Sequence, residues 1–236
     1  MTKASRAAVA FFAAALLIGC DDPLPKPVAT AHTGPTIHAL PFTIKSVMLS
    51  DLFVDQLKVA KVNVQVQGGT QEEWAATALA IAYAVGNLGA NSIEATVDRS
   101  DLAEMEPAPL YLHLAKVMYS PDPQRTIWSD NPETLVSITG QPATKQEVQR
   151  DTEYWALLEK LTGEGVDPDG AEKKAGSAIA KKFHLSPDWQ LYSGGLDDGK
   201  FPKADYSVDT SRAANSLAEL DVCMRGKIIQ FLKPCE

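Results

Sequence analysis

VAKVNVQVQGGTQEEWAATALAIAYAVGNLGANSIEATVD, residues 59–98, decides the fold. From Val59 to Gln67 the residues alternate. Val62, Val64 and Val66 point one way and Lys61, Asn63 and Gln65 the other, the period of a half-buried strand. Gly68-Gly69 breaks it. Thr70-Gln71-Glu72-Glu73 then reads as a capping box, with the Thr70 hydroxyl accepting from the Glu73 amide while Glu73 reaches back. The helix it opens runs to about Asn87. Trp74, Ala78, Ile81 and Val85 form one stripe, with Ala75, Leu79 and Ala82 beside it, so most of the helix should be buried. Gly86 and Gly89 supply the stop. Ser92 to Asp98 alternates again, which completes a strand-helix-strand unit.

Downstream, a third strand is expected from Leu110 to Tyr119, closed by the turn residues Ser120-Pro121-Asp122-Pro123. A shorter strand follows around Glu133 to Ile138. After Gly140 the chain turns helical. Thr144-Lys145-Gln146-Glu147 is a second capping box, opening a helix with Val148, Trp155, Leu158 and Leu161 inward. Another helix, near Pro168 to Phe183, places Ala171, Ala175, Ala178 and Ile179 on one stripe. Ser193 to Pro202 reads as loop, Thr210 to Cys223 as a last helix, and Gly226 to Leu232 as a short terminal strand.

Upstream, Pro23, Pro25, Pro27, Pro35 and Pro41 break any helix or ladder, so residues 21–41 read as an extended tether. His32 and His38 fall in it and are expected to be solvated. Before it, Lys3 and Arg6 precede an apolar run from Ala7 to Ile18, the pattern of a secretory segment. That run is shorter than the roughly 20 residues a membrane span needs. It closes on Leu17-Ile18-Gly19-Cys20, which resembles the lipobox of bacterial lipoprotein precursors. The resemblance implies cleavage before Cys20 and acyl chains, palmitate among them, on that cysteine. Two or more chains hold a protein firmly to a bilayer. Asp21, directly after the cysteine, resembles the signal for retention in the inner membrane; the outer membrane is the alternative.

The 236 residues carry a formal charge of −8, which becomes −10 when residues 1–19 leave with Lys3 and Arg6. Such a surface disfavours non-specific nucleic-acid binding. With Cys20 reserved for lipid, Cys223 and Cys235 form an even pair in an oxidising compartment. We expect a disulfide between them, contributing about 2–3 kcal/mol through loop entropy; two free thiols are the alternative. A metal pair is disfavoured because no third ligand is spaced nearby.

From Val59 to Leu185 the chain is similar to a family of small bacterial proteins known as a domain of unknown function. The shared features are the strand and capped helix, Leu114-Ala115 leading into Tyr119-Ser120-Pro121-Asp122, and a helical pair ending at Ala180-Lys181-Lys182-Phe183. The resemblance implies no activity, so it assigns no catalytic residue.

Most active-site patterns are absent: there is no H-E-x-x-H, G-x-S-x-G, Walker A sequence or C-x-x-C. Ser129-Asp130-Asn131 matches one element of penicillin-binding enzymes, but the S-x-x-K and K-T-G that the chemistry also needs are missing. Asp167-Pro168-Asp169-Gly170 would begin a calcium loop, yet its positions 5 and 12 hold Ala171 and Ala178. It reads as a helix start. Gly68-Gly69-Thr70 could present amides to a phosphate, but Glu72 and Glu73 would repel it. His113 is expected at a sheet surface and His184 past a helix end. Trp128, Trp189 and Tyr192 lie in loop-like segments, and aromatics of that kind are enriched in interface cores, though any one of them is more readily a lid on the single core.

These readings give an α/β (α+β) fold with a small mixed sheet, a βαβ unit, helices packed on it and a helical C-terminal half. The expected organisation is a signal peptide over 1–19, lipidated cysteine and tether over 20–41, and one globular domain over 42–236, with an optional subdivision near 140. No catalytic residue, metal or cofactor is assigned. The function expected is a non-enzymatic docking or accessory component of a periplasmic envelope assembly, such as a transfer or secretion apparatus, with a protein partner and the membrane as its contacts. A tethered hydrolase or wall-acting enzyme, and a small-ligand-binding lipoprotein, are the alternatives.

Overall fold

The alternation at residues 59–67 becomes strand β3 (Leu57–Val66), and the capped helix becomes α1 (Gln71–Asn87), followed by β4 (Ser92–Arg99). β3 and β4 pair in parallel, Val62 opposite Ala95 and Val64 opposite Val97. The βαβ unit is therefore present. The computed structural model describes residues 35–52, 57–105, 107–128, 134–186, 188–198 and 207–229. Cys20, Cys235 and residues 129–133 lie outside these, as do the secretory segment and most of the tether.

Four more strands complete a six-stranded mixed sheet: β2 (Phe42–Leu52), β5 (His113–Tyr119), β6 (Thr134–Thr139) and β7 (Leu196–Asp198), in the order β2-β3-β4-β5-β6-β7. All pairings but β3–β4 are antiparallel. Helix α1 covers one face. Ile81, Val85, Val62, Val64, Ile93, Val97 and Val117 are all fully buried there. Five alanines between Ala75 and Ala82 let the helix sit close to the strands. On the opposite face Glu94 lies between Lys61 (3.8 Å) and Lys116 (3.3 Å), a cross-strand ion ladder on polar surface.

The fold starts before Phe42. Strand β1 (Thr36–His38) pairs in parallel with β8 (Ser207–Asp209). Ala39 and Leu40 are buried, and the Leu40 amide donates to Thr77 Oγ1 at 2.8 Å. This corrects the tether boundary at 41, while His38 is exposed as expected, its Nδ1 2.8 Å from Asp209 Oδ2. The physical reason is simple: composition that forbids a helix favours extended chain, and extended chain can pair as a strand.

Three further expectations are corrected. The strand expected from Leu110 starts at His113, because Pro109 opens the single turn α2 (Pro109–Leu112). Within the Ser193–Pro202 loop, β7 adds to the sheet. The strand expected from Gly226 begins as helix instead: α5 (Ala214–Ile229) runs through Gly226. Burial of Leu220 and Met224 against the main core outweighs the roughly 1 kcal/mol that a helical glycine costs.

Helices α3 (Lys145–Gly163) and α4 (Pro168–Phe183) form a hairpin. The Thr144–Glu147 capping box is present. Asp167 caps α4 by accepting from the Gly170 amide at 2.9 Å, so the Asp-Pro-Asp-Gly stretch is the helix start that its residues indicate. β6 and β7 are neighbours in the sheet, so residues 140–195 leave the sheet and return to it at one place. The hairpin is thus an excursion. A small cluster of Leu102, Tyr111, Ala143 and Val148 roots it.

Candidate interaction site on the helical hairpin

At the hairpin's root sits a buried carboxylate. Asp151 in α3 is fully enclosed. Its Oδ1 accepts from Arg150 Nε at 2.6 Å. Its Oδ2 accepts from the Tyr192 amide at 2.8 Å and from Tyr111 Oη at 3.2 Å. Donors from three segments converge, which is what a buried charge requires. Burial, reinforced by the Asp151 charge, pushes the Tyr111 hydroxyl up to about 12. Trp189 lies over the Arg150 guanidinium, 5.0 Å from ring centroid to Cζ, and its indole N–H donates to Gly176 O at 3.3 Å.

Beyond the root the hairpin is only partly closed. Tyr154, Ala175 and Ile179 are buried, but Leu157, Leu158, Leu161, Phe183, Leu185, Trp189 and Leu191 around them are only partly covered. The cause is the excursion itself: two helices alone have no second layer to shield both sides of their contact. A groove of about 580 Å³ runs beside α4, walled by Tyr154, Trp189, Leu185 and Leu191. Along it α4 presents the small residues Gly176, Ser177 and Ala180, with Lys173 and Lys181 on either side. Tyr154, 5.9 Å from Trp189 in an edge-on contact, has its hydroxyl raised by burial and then by the charge of Glu172.

Of the three aromatics read from sequence, the structure brings two together. Trp189 and Tyr192 both meet the Arg150–Asp151 pair, and Tyr192 Oη also donates to Gln141 O at 2.8 Å. Trp128 is elsewhere: its amide donates to Thr126 Oγ1, whose hydroxyl bonds Ser92 of β4. Its indole nitrogen is buried without a hydrogen-bond partner among the described residues. Trp155, expected inward, is 53% exposed and leans edge-on against Tyr154. The stripe through Val148, Leu158 and Leu161 holds; Trp155 sits seven residues past Val148, but there the hairpin has run clear of the sheet. The groove's trace in the sequence is that Gly176, Ser177 and Ala180 follow Lys173 by three, four and seven residues and Lys181 follows Ser177 by four.

His113 stands at the start of β5 and its Nδ1 lies 2.6 Å from Asp98 Oδ1. The carboxylate orients the imidazole as in a general base, but among the described residues no hydroxyl or thiol is bonded to its other ring nitrogen. Nor, among the described residues, do three or more His, Cys, Asp or Glu gather as a metal site. His184 ends α4 in the left-handed conformation, φ 54°. Cys223 lies on α5 against the main core. Among the described residues no helix is long and apolar enough to cross a membrane. No protein-family model, curated protein or solved structure matches the chain.

Proposed function

We propose that this chain is a lipid-anchored lipoprotein of the periplasmic side, held through Cys20, which docks a protein partner of an envelope assembly through the α3–α4 hairpin. The observation that carries the docking reading is the incomplete cover of the hairpin's apolar residues. Three buried side chains are ringed by seven partly covered ones, with Trp155 exposed beside them. Patches that join aromatic and aliphatic side chains on a soluble surface mark contact sites. The excursion between two neighbouring strands adds to this, since inserted segments on a rigid scaffold carry function more often than the scaffold does.

The anchor is supported by the order of residues from Lys3 to Cys20, and inner-membrane retention by Asp21. A Cys223–Cys235 disulfide, joining α5 to the chain's end, belongs to the same reading, because export places both in an oxidising compartment. The partner class is an envelope protein, in an assembly such as a transfer or secretion apparatus.

Fractionation of cells expressing the full chain and its Cys20→Ser variant tests the anchor. The intact protein is expected in the membrane fraction and the variant in the soluble one. Equal sedimentation of both would refute the anchor. A second reading, a tethered hydrolase, draws on the Asp98–His113 pair. It requires that His113→Ala abolish a hydrolytic activity of the purified protein, whereas docking requires that the variant still bind its partner.

A further inference from the structure

Granted docking at the hairpin, on which the inference rests, the groove restricts the kind of partner. Every residue lining it belongs to α3, α4 or the segment 185–191, and none to a strand. An extended peptide laid there would find no sheet edge to pair with and would bury unpartnered amides. A helix arrives with its own amides paired. The small stripe of Gly176, Ser177 and Ala180 lets a second helix approach the α4 axis closely, the geometry of helix packing.

Charge narrows the choice. The chain as a whole is acidic, yet α4 carries Lys173, Lys174, Lys181 and Lys182 against Asp169 and Glu172. Lys182 pairs with Glu153 of α3. Lys173 and Lys181 line the groove and have no ion-pair partner among the described residues; Glu172 is the one acid lining it. Eight residues of helix separate the two lysines by roughly 12 Å.

We infer that the groove receives an amphipathic helix from the partner protein, its apolar stripe against Tyr154, Leu185 and Trp189, its flanks carrying carboxylates about two turns apart to meet Lys173 and Lys181. Steering by those charges sets orientation and rejects basic helices.

The test is selection from a displayed library of helical and extended peptides on the detergent-solubilised full chain. Bound peptides are then measured against K173E/K181E and against S177R, which fills the groove from an exposed position. Tryptophan fluorescence and melting temperature confirm that each variant is folded. The expected result is enrichment of helical peptides with apolar residues at i, i+4 and i+7 flanked by Asp or Glu. Their binding should be lost on S177R and weaken about tenfold on K173E/K181E, the combined effect of two rim ion pairs. Lysine-bearing versions of the same peptides should recover binding to K173E/K181E.

Failure to enrich any peptide, enrichment of basic or extended ones, or indifference to the lysine swap would overturn the inference. So would groove-dependent binding of phosphatidylglycerol vesicles in place of peptides. Peptides of another chemistry that still vanish on S177R would overturn the helix and leave docking at the hairpin standing. Docking itself fails on a separate observation, retention of the native partner by S177R.

Discussion

Tyr111 Oη donates to Asp151 Oδ2 across 3.2 Å, and with this bond a residue of the sheet's own connection holds a carboxylate of the excursion. Among the described residues Arg99 of β4 also ties the start of the excursion, its Nη1 donating to Ala143 O at 2.5 Å, so the hairpin's pose depends on this cluster and that bond. Asp151 is satisfied on both oxygens and Arg150 is covered by Trp189. The root is buried and hydrogen-bonded while the outer hairpin is only partly covered.

Asp151→Asn should therefore destabilise the fold by about 3 kcal/mol, because it leaves Arg150 charged, 9% exposed and unpaired. Urea unfolding of the two proteins measures it, and the melting temperature should fall by about 10 °C.

Tyr111 supplies a pH dependence with a definite sign. Its hydroxyl is raised to about 12 in the fold, against about 10 in an unfolded chain. Above pH 10 the unfolded state gives up the proton first, so stability should be full below pH 10 and decline as pH rises toward 12. Tyr154, also raised, adds in the same direction. Urea midpoints at about pH 9 and about pH 11 should differ in the intact protein, and differ less in Tyr111→Phe.

Gly69→Ala should cost about 2 kcal/mol. Gly69 has φ +105°, and an added Cβ would stand 2.5 Å from Leu40 Cδ1 and 2.9 Å from Trp74 Nε1. That indole donates to Gly68 O at 2.8 Å, so the turn and the first turn of α1 would be disturbed together. Chemical denaturation of the variant reads the cost directly.

The sheet's centre is legible in the sequence because residues 59–98 need nothing distant to be understood. Alternation makes β3 and β4, and Thr70 with Glu73 starts α1 by a bond between near neighbours. Residues whose partners lie far along the chain are not legible in this way. Thr36–His38 becomes a strand only because Ser207–Asp209 lies beside it. β7 is three residues and carries two aspartates, so its place in the sheet comes from β6. Trp189 and Tyr192 read as aromatics in a loop, without sign that both converge on Arg150 and Asp151. The groove lysines look like ordinary solvated charge, since it takes Tyr154 of α3 and the returning Leu185, Trp189 and Leu191 to turn that side of α4 into a wall.

If Cys223 and Cys235 are joined as proposed, a non-reducing digest of the native protein contains the two cysteine peptides linked, lighter by two hydrogens than their sum. Cys223 packs against the main core, so loss of the bond should loosen the chain's end and cost about 2–3 kcal/mol. Mass spectrometry before and after reduction decides it.

On the proposal that this protein meets its partner at the hairpin groove, filling the groove should break the complex. The measurement is affinity purification of the full chain and of Ser177→Arg from mildly solubilised membranes, with the size of each product determined. We predict a defined larger complex for the intact chain and the bare protein, equally stable, for the variant. A bare monomer from the intact chain, or the same complex from both, would contradict it.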